Sequence, residues 1–259
     1  MKHIDRRNMD NTLLWGYHPV YEALRAGRRK IETLFMVQDR INPREEALIQ
    51  NARKAGVPVQ GKTPQQLSAL VGHGRHQGIC ARVSEYPISS LEDILASVAN
   101  GTDTAFILVL DQIVDPQNLG AIVRTAQCAG IHGIVIPRDR SAPPSAAVSK
   151  ASAGALEHMR LACVTNLVEA LKHLKSSGLW ISGADRHGRD TVFQADLTGP
   201  LAIVIGGEEK GIRPLVKKHC DFMVSVPQIG PIGSLNASAA AAVVMYEAFR
   251  QRRLGPANQ

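Results

Sequence analysis

Apolar and polar positions follow two different rhythms along this 259-residue chain. From Leu13 to about Glu85 the pattern is a short α/β one. HPVYEALRAGRR sets Val20, Ala23 and Leu24 at helical spacing and stops at Gly27, and IETLFMV reads as a strand. A helix is expected around EEALIQNARKAG, ending at Gly56, with VPVQ and GICARV as further strands. After Thr104 the rhythm becomes regular. FILVL (106–110), GIVI (133–136), LWI (179–181) and LAIVI (201–205) are near-continuous apolar runs, as strands covered on both faces would be. Helical segments lie between them, which predicts an α/β domain with a largely parallel sheet after a smaller α/β domain. YPISSLEDILASVANGTD opens on Pro and Ser, closes on Asn-Gly and holds one short amphipathic turn. The expected division is therefore 1–85, a linker at 86–103, and a second domain at 104–259.

Composition narrows the function classes. A hydrophobic share of 44% with 20% charged residues excludes a mainly disordered chain, and 22 Gly with 14 Pro excludes a collagen-like one. Thirty Lys and Arg against 23 Asp and Glu give +7, which suits a polyanionic partner. Phe, Trp and Tyr number 5, 2 and 4, too few for a stacking platform along an unstructured strand, so nucleic-acid binding would rest on shape and phosphates. The cysteines Cys80, Cys128, Cys163 and Cys220 have no C-x-x-C spacing and read as small buried residues in a reducing compartment. No metal site is expected. The charged start MKHIDRRNMDN lacks an apolar core, and the longest apolar run, Ala239 to Met245, is too short for a bilayer. A cytoplasmic protein with no membrane association is the expectation.

In parallel α/β sheets ligands gather beyond the carboxyl ends of strands, and three loops there carry chemistry. The first is LDQIVDPQNLGAIVRTAQCAG, where Asp115-Pro116 makes a turn, Asn118 is a natural helix N-cap and Gly130 a natural stop. Leu119, Ile122, Val123, Ala126 and Ala129 share one helical face, and Arg124 points nearly opposite, with Gly120 one turn before it leaving room for a large ligand. On local pattern alone a solvated surface arginine is the simpler reading. The second loop, IVIGGEEKGIRP, is neither of the glycine-rich nucleotide fingerprints, and Glu208 beside Glu209 would repel a pyrophosphate. Its glycines Gly206, Gly207 and Gly211 permit close backbone approach to a ligand, or simply a tight strand-to-helix turn. The third loop, VPQIGPIGSLNASAAAAVVMYEAFRQRR, runs through Ser234, Leu235, Asn236 and Ser238 into an alanine-rich helix. Helix capping explains one or two of these polar residues, and the run Ala239 to Ala242 suggests close packing in a core or at a subunit contact.

Together these loops resemble the three motifs of the SpoU/TrmH branch of the SPOUT RNA methyltransferases. The resemblance lies in N-x-G-x-I-x-R-T-A at Asn118 to Ala126, G-x-E-x-x-G at Gly206 to Gly211, and S-L-N-x-S at Ser234 to Ser238. SKASAGALEHM (149–159) is similar to the family's middle region, while LLWGYHPVYEAL (13–24) and HQGICARV (76–83) resemble its L30e-like substrate-binding domain. Ala237 stands where Val is frequent in the family, and Glu209 where Gly is common.

The resemblance implies a SPOUT-type α/β parallel sheet with a deep trefoil knot, working as a homodimer through the knotted domain. It implies S-adenosyl-L-methionine as cofactor, contacted at Gly206, Val226 and Leu235, and methylation of a ribose 2′-hydroxyl in structured RNA. Arg124 would reach the ribose and a neighbouring phosphate; Asn118, Ser234 and Asn236 would orient the reacting groups; Glu208 would handle a proton or fix Arg124. A guanidinium stays protonated in proteins, so phosphate clamping and stabilisation of a developing alkoxide suit Arg124 better than proton acceptance. The two-domain arrangement most resembles family members acting on a guanosine in the peptidyl-transferase P loop of 23S ribosomal RNA. A tRNA ribose methyltransferase and a catalytically inactive RNA-binding ribosome-assembly factor are the alternatives. Outside the motifs, His18, His76 and Gln77 read as packing or turn residues. Arg25, Arg28, Arg29 and Lys30 read as a cluster that complements a helix dipole or contacts RNA phosphates, the second being preferred.

Overall fold

The computed structural model describes residues 12–37, 42–72, 75–101, 103–230 and 233–254; the charged N-terminal stretch 1–11 and part of the third loop, 231–232, lie outside them. The chain forms two compact units. One holds the residues up to Pro87 together with Pro144–His158, and the other holds Ile88–Pro143 together with the residues from Met159 onward.

The first unit is a four-stranded sheet with short helices. Its strands are β1 (Leu13–Trp15), β2 (Ile31–Val37), β3 (Val59–Lys62) and β4 (Ile79–Val83), in the order β1-β4-β2-β3. Only β2 and β3 pair in parallel. The helices are α1 (Tyr17–Ala26), α2 (Pro43–Lys54) and α3 (Pro64–Val71). Asn42 and Glu45 form a reciprocal capping box at α2, and Thr63 and Gln66 do the same at α3. Gly27 closes α1 in the left-handed conformation, as its position after the apolar period implies. His76 is buried, its Nδ1 accepting from the Gly78 backbone and its Nε2 meeting the Ser68 hydroxyl, so it shapes a turn.

The excursion at 144–158 was not expected in this unit. It carries α6 (Ala146–Ala151) and a single 3-10 turn, Ala155–Glu157; Ala146 enters the same apolar cluster as Leu14, Val20 and Leu34. Gly154 lies so close to α1 that a Cβ there would overlap His18 and Glu22. Beneath this contact Glu157 is buried, its Oε1 accepting from Ser149 Oγ at 2.8 Å and lying 3.5 Å from Arg29 NH1. Arg29 also donates to the Ser84 carbonyl. The basic cluster after α1 is therefore corrected at Arg29, which is sequestered with a carboxylate rather than offered to RNA. Desolvation drives both partners away from their charged forms: the Glu157 carboxyl is raised and the Arg29 guanidinium lowered.

The second unit is a seven-stranded sheet in which every pairing is parallel. Its strands are β5 (Phe106–Asp111), β6 (Gly133–Pro137), β7 (Leu161–Val164), β8 (Trp180–Ala184), β9 (Asp190–Thr191), β10 (Leu201–Gly206) and β11 (Phe222–Ser225), ordered β7-β6-β5-β10-β8-β11-β9. The four long apolar runs form β5, β6, β8 and β10, while β7, β9 and β11 are short and carry half-exposed residues, which hides them from periodicity. The helices are α4 (Leu91–Ala99), α5 (Pro116–Cys128), α7 (Leu167–Ser176), α8 (Pro214–Lys217) and α9 (Ala237–Leu254). Residues 86–103, read from sequence as a linker, thus contain a capped helix. Ser90 and Asp93 form its capping box, and Leu91, Ile94 and Val98 pack in the core with Ile107, Val109 and Val135.

In α9 the buried apolar positions are Ala237, Ala241, Val244, Met245 and Ala248, and the helix packs against α5 and β10. Core packing within the chain therefore accounts for part of the small-residue run. No helix among the described residues is long and apolar enough to cross a membrane. The cysteines are unpaired; Cys80 is buried and its thiol pushed up to about 12 by desolvation, whereas Cys128 is exposed, contrary to the expectation of four buried thiols.

Candidate active site at the carboxyl ends of β5 and β10

Strand register sets the geometry of the site. Gly206 lies beside Asp111, and Ile205, Ala184 and Val224 are level across β10, β8 and β11, so the strand ends are abreast. β5, β10 and β11 then each release one of the chemistry-bearing loops.

The first loop turns at Asp115, not at Asn118. Asp115 is the N-cap of α5, accepting from the Gln117 backbone, and Pro116 opens the helix. This corrects the expectation that Asn118 caps the helix and leaves its amide free. Asn118 Nδ2 donates to Glu208 Oε1 at 2.5 Å, and Asn236 Nδ2 donates to the same oxygen at 2.6 Å and to Asn118 Oδ1 at 3.1 Å. Asn236 is the residue that caps α9: its Oδ1 accepts from the Ser238 backbone at 2.9 Å and the Ser238 hydroxyl at 2.6 Å. One residue from each loop is thus locked to the other two across 90 and 118 positions of sequence. Glu208 Oε2 has no partner among the described residues, which leaves a carboxylate oxygen free to accept from an incoming hydroxyl.

Asp111 holds the second loop in shape. It is fully buried; its carbonyl accepts from Gly207 at 2.9 Å, its Oδ2 from the Arg213 backbone at 2.8 Å and its Oδ1 from Arg213 Nε at 2.7 Å. Both ends of the segment bearing Glu208 are thus pinned to one residue, Gly207 to the Asp111 carbonyl and Arg213 to its carboxylate. Sequence reasoning passed over Asp111 and Arg213, although a lone acid ending an apolar strand, at the edge where ligands gather, was the available signal. The loop's glycines serve this closure. A Cβ at Gly206 would overlap the backbone of Gly211 and Ile212, so the glycine is required by the protein's own turn.

A cavity of about 280 Å³ opens over the cluster, lined by Gln112, Asp115, Asn118, Arg140, Glu208 and Ala237 among others. Gln112 and Arg140 both hold positive φ, 66° and 57°, a conformation that costs a non-glycine residue about 1 kcal/mol or more and gathers at functional sites. Arg124 is exposed on α5, as the helical wheel implies, and without a side-chain partner among the described residues. Gly120, one turn before Arg124, is buried. Ser234 is exposed in the third loop and is not joined to the asparagine and glutamate cluster. Of the remaining positions singled out in the sequence, Gly206 ends β10, the half-buried Val226 follows β11, and Leu235 is 41% exposed.

The sequence model of the SpoU rRNA methylase family matches residues 105–246, and that of the RNA 2′-O ribose methyltransferase substrate-binding domain matches 13–89. The chain is 40% identical to the TrmH-family protein YacO of Bacillus subtilis, over 92% of this chain and 94% of that one. It is 39% identical to the 23S rRNA (guanosine-2′-O-)-methyltransferase RlmB of Yersinia pestis, over 93% and 98% of the two chains. Among solved structures it is similar to the SpoU methyltransferase AviRb of Streptomyces viridochromogenes in complex with AdoMet. That likeness has a TM-score of 0.80 and 25% identity, covering 97% of this chain and 94% of the other. With both of its units matched and the three motif loops at one end of a parallel sheet, the chain belongs to the SpoU/TrmH family of RNA methyltransferases.

Proposed function

We propose that this enzyme transfers the methyl group of S-adenosylmethionine to the ribose 2′-hydroxyl of a guanosine in 23S ribosomal RNA, in the P loop of the peptidyl-transferase centre. The observation that carries the catalytic reading is the Asn118, Glu208 and Asn236 cluster, which presents one uncommitted carboxylate oxygen at a cavity beyond the strand ends. The likeness to RlmB supports the choice of RNA.

The third loop supports the cofactor reading. Among the described residues the backbone of Val226 to Gly230 forms no hydrogen bond with other backbone, and Ile229 and Leu235 are exposed apolar side chains beside it. Free amides and carbonyls next to uncovered apolar surface suit an adenosine, and Gly206, Val226 and Leu235 are the positions proposed to hold it. When bound, S-adenosylmethionine supplies an electrophilic methyl group on a sulfonium. The chain's own residues then do the rest. Glu208 Oε2 accepts a hydrogen bond from the ribose hydroxyl and takes up its proton as the oxygen–methyl bond forms, while Asn118 and Asn236 keep that carboxylate aimed. Arg124 clamps the neighbouring phosphate and stabilises the negative charge that grows on the 2′-oxygen. Ser234 orients the ribose.

The proposal extends to architecture. The second unit is read as the knotted catalytic domain, pairing through α9 in a cytoplasmic homodimer, and the first as an L30e-like RNA-binding domain. The test is methylation of total RNA from cells lacking the gene, with labelled cofactor and mapping of the modified ribose. Label on a P-loop guanosine is the expected result. Label on tRNA moves the substrate to the alternative class, and no label favours a catalytically inactive assembly factor.

A further inference from the structure

Beside the catalytic cavity lies a second one of about 350 Å³, lined by Pro137, Asp139, Arg140, Thr165, Asn166 and Arg213 among others. Arg140 lines both. We infer that this second cavity receives a backbone phosphate of the RNA strand flanking the target ribose, gripped between Arg140 and Arg213. The inference rests on the reading of the site as an RNA ribose methyltransferase.

Three observations point there. Arg213 is aimed: its Nε is tied to the fully buried Asp111, and its two terminal nitrogens have no partner among the described residues. That leaves a guanidinium edge suited to phosphate oxygens. Arg140 is exposed, has no partner among the described residues and is held at φ 57°, a strained placement for an arginine with no structural task. Both sit where the sheet collects ligands, Arg140 beyond β6 and Arg213 beyond β10. Asp139 is the single carboxylate lining the cavity, and Asp111 lies behind Arg213, so the guanidiniums of Arg140 and Arg213 are the cationic groups that line it. Phosphate contacts set register without reading sequence, which is what an enzyme needs to bring one ribose to Glu208.

The test is binding of the full-length protein to a 23S hairpin containing the P loop, measured in a salt titration. Arg140→Ala should weaken RNA binding about tenfold, the loss of one charge-assisted contact. It should also reduce the slope of log Kd against log salt by about 0.7, the single-strand value for one phosphate. Affinity for S-adenosylmethionine should hold. Replacing the flanking phosphates one at a time by neutral methylphosphonates should then weaken the wild type at one position to which the variant is indifferent. Arg213→Lys keeps a cation beside Asp111 but loses the planar fork, so it should fold normally, as read by thermal melting, and bind RNA less well.

An unchanged salt slope, or a scan that penalises wild type and Arg140→Ala alike, overturns the inference. So does competition by inorganic phosphate that depends on Arg140 while the scan stays flat, which would make the cavity a free-anion site. These readouts need no methylation. A hairpin bound with an Arg140-dependent slope yet left unmethylated would sink the proposed 23S target and leave the phosphate site standing.

Discussion

Each unit contains a glutamate brought to distant partners, and the two are built in opposite ways. Glu157 in the first unit is 1% exposed at its side chain, faces Arg29 and accepts from Ser149. Glu208 in the second unit is exposed, accepts from two neutral amides and is in no ion pair among the described residues. Burial with a charged partner is how a chain fastens a segment, here the 144–158 excursion. Exposure with one oxygen uncommitted is how a chain keeps a carboxylate available for chemistry. Removing the first should cost stability, and removing what surrounds the second should cost turnover.

The largest effect expected is on the buried pair. Arg29→Met leaves Glu157 without its cation and should destabilise the protein by about 3–5 kcal/mol in urea unfolding, whereas pairing it with Glu157→Leu should recover most of that loss. A single variant within about 1 kcal/mol of wild type would remove the fastening role. Next comes Arg124→Ala, expected to lower turnover about 10²-fold, near 2.7 kcal/mol of transition-state stabilisation, with cofactor affinity and thermal stability nearly unchanged. Near-normal turnover on the true RNA would break the catalytic half of the comparison.

Ser90→Ala removes the cap of α4 and should cost about 1 kcal/mol of stability, with turnover untouched. That would sharpen the contrast, since α4 belongs to the same unit as Glu208 and yet serves only the fold. The smallest effect is one of pH. Because burial raises the Glu157 carboxyl, the folded chain holds that proton more tightly than the unfolded chain does. The stability this adds is full below the ordinary carboxylate range and fades as pH rises through the raised value. Glu157→Gln should therefore gain on wild type as pH climbs from the acid side; parallel stability curves for the two would contradict it.

The excursion also changes how the units can be separated. Val148, Leu156 and Glu157 are buried within the first unit, so deleting residues 1–85 would uncover them as well as remove the domain proposed to bind RNA. Loss of RNA binding in such a deletion would not distinguish the two causes.

Much of this was legible along the chain. Near-continuous apolar runs identified β5, β6, β8 and β10, because a strand covered on both faces has nowhere to place a polar side chain. The wheel of α5 put Arg124 outside, and the three motifs named the loops that matter. The helix within the supposed linker was missed because its turn signals were read as loop, although Ser90 and Asp93 are a capping box and Leu91, Ile94 and Val98 keep helical spacing. Asn118 was misread because Asx residues cap helices and also bridge loops, and local sequence does not say which.

What the sequence determined by itself is therefore the local grammar: periodicity, caps, the parallel sheet and the residue types at its carboxyl edge. Tertiary structure alone decided which distant groups meet. Asp111 finds Arg213 across 102 positions, Arg29 finds Glu157 across 128, and Asn118, Glu208 and Asn236 converge on one oxygen. Spacing along a chain fixes neighbours within a few residues, whereas contacts of this range depend on strand order and on the burial that makes an unpaired charge too costly to leave alone.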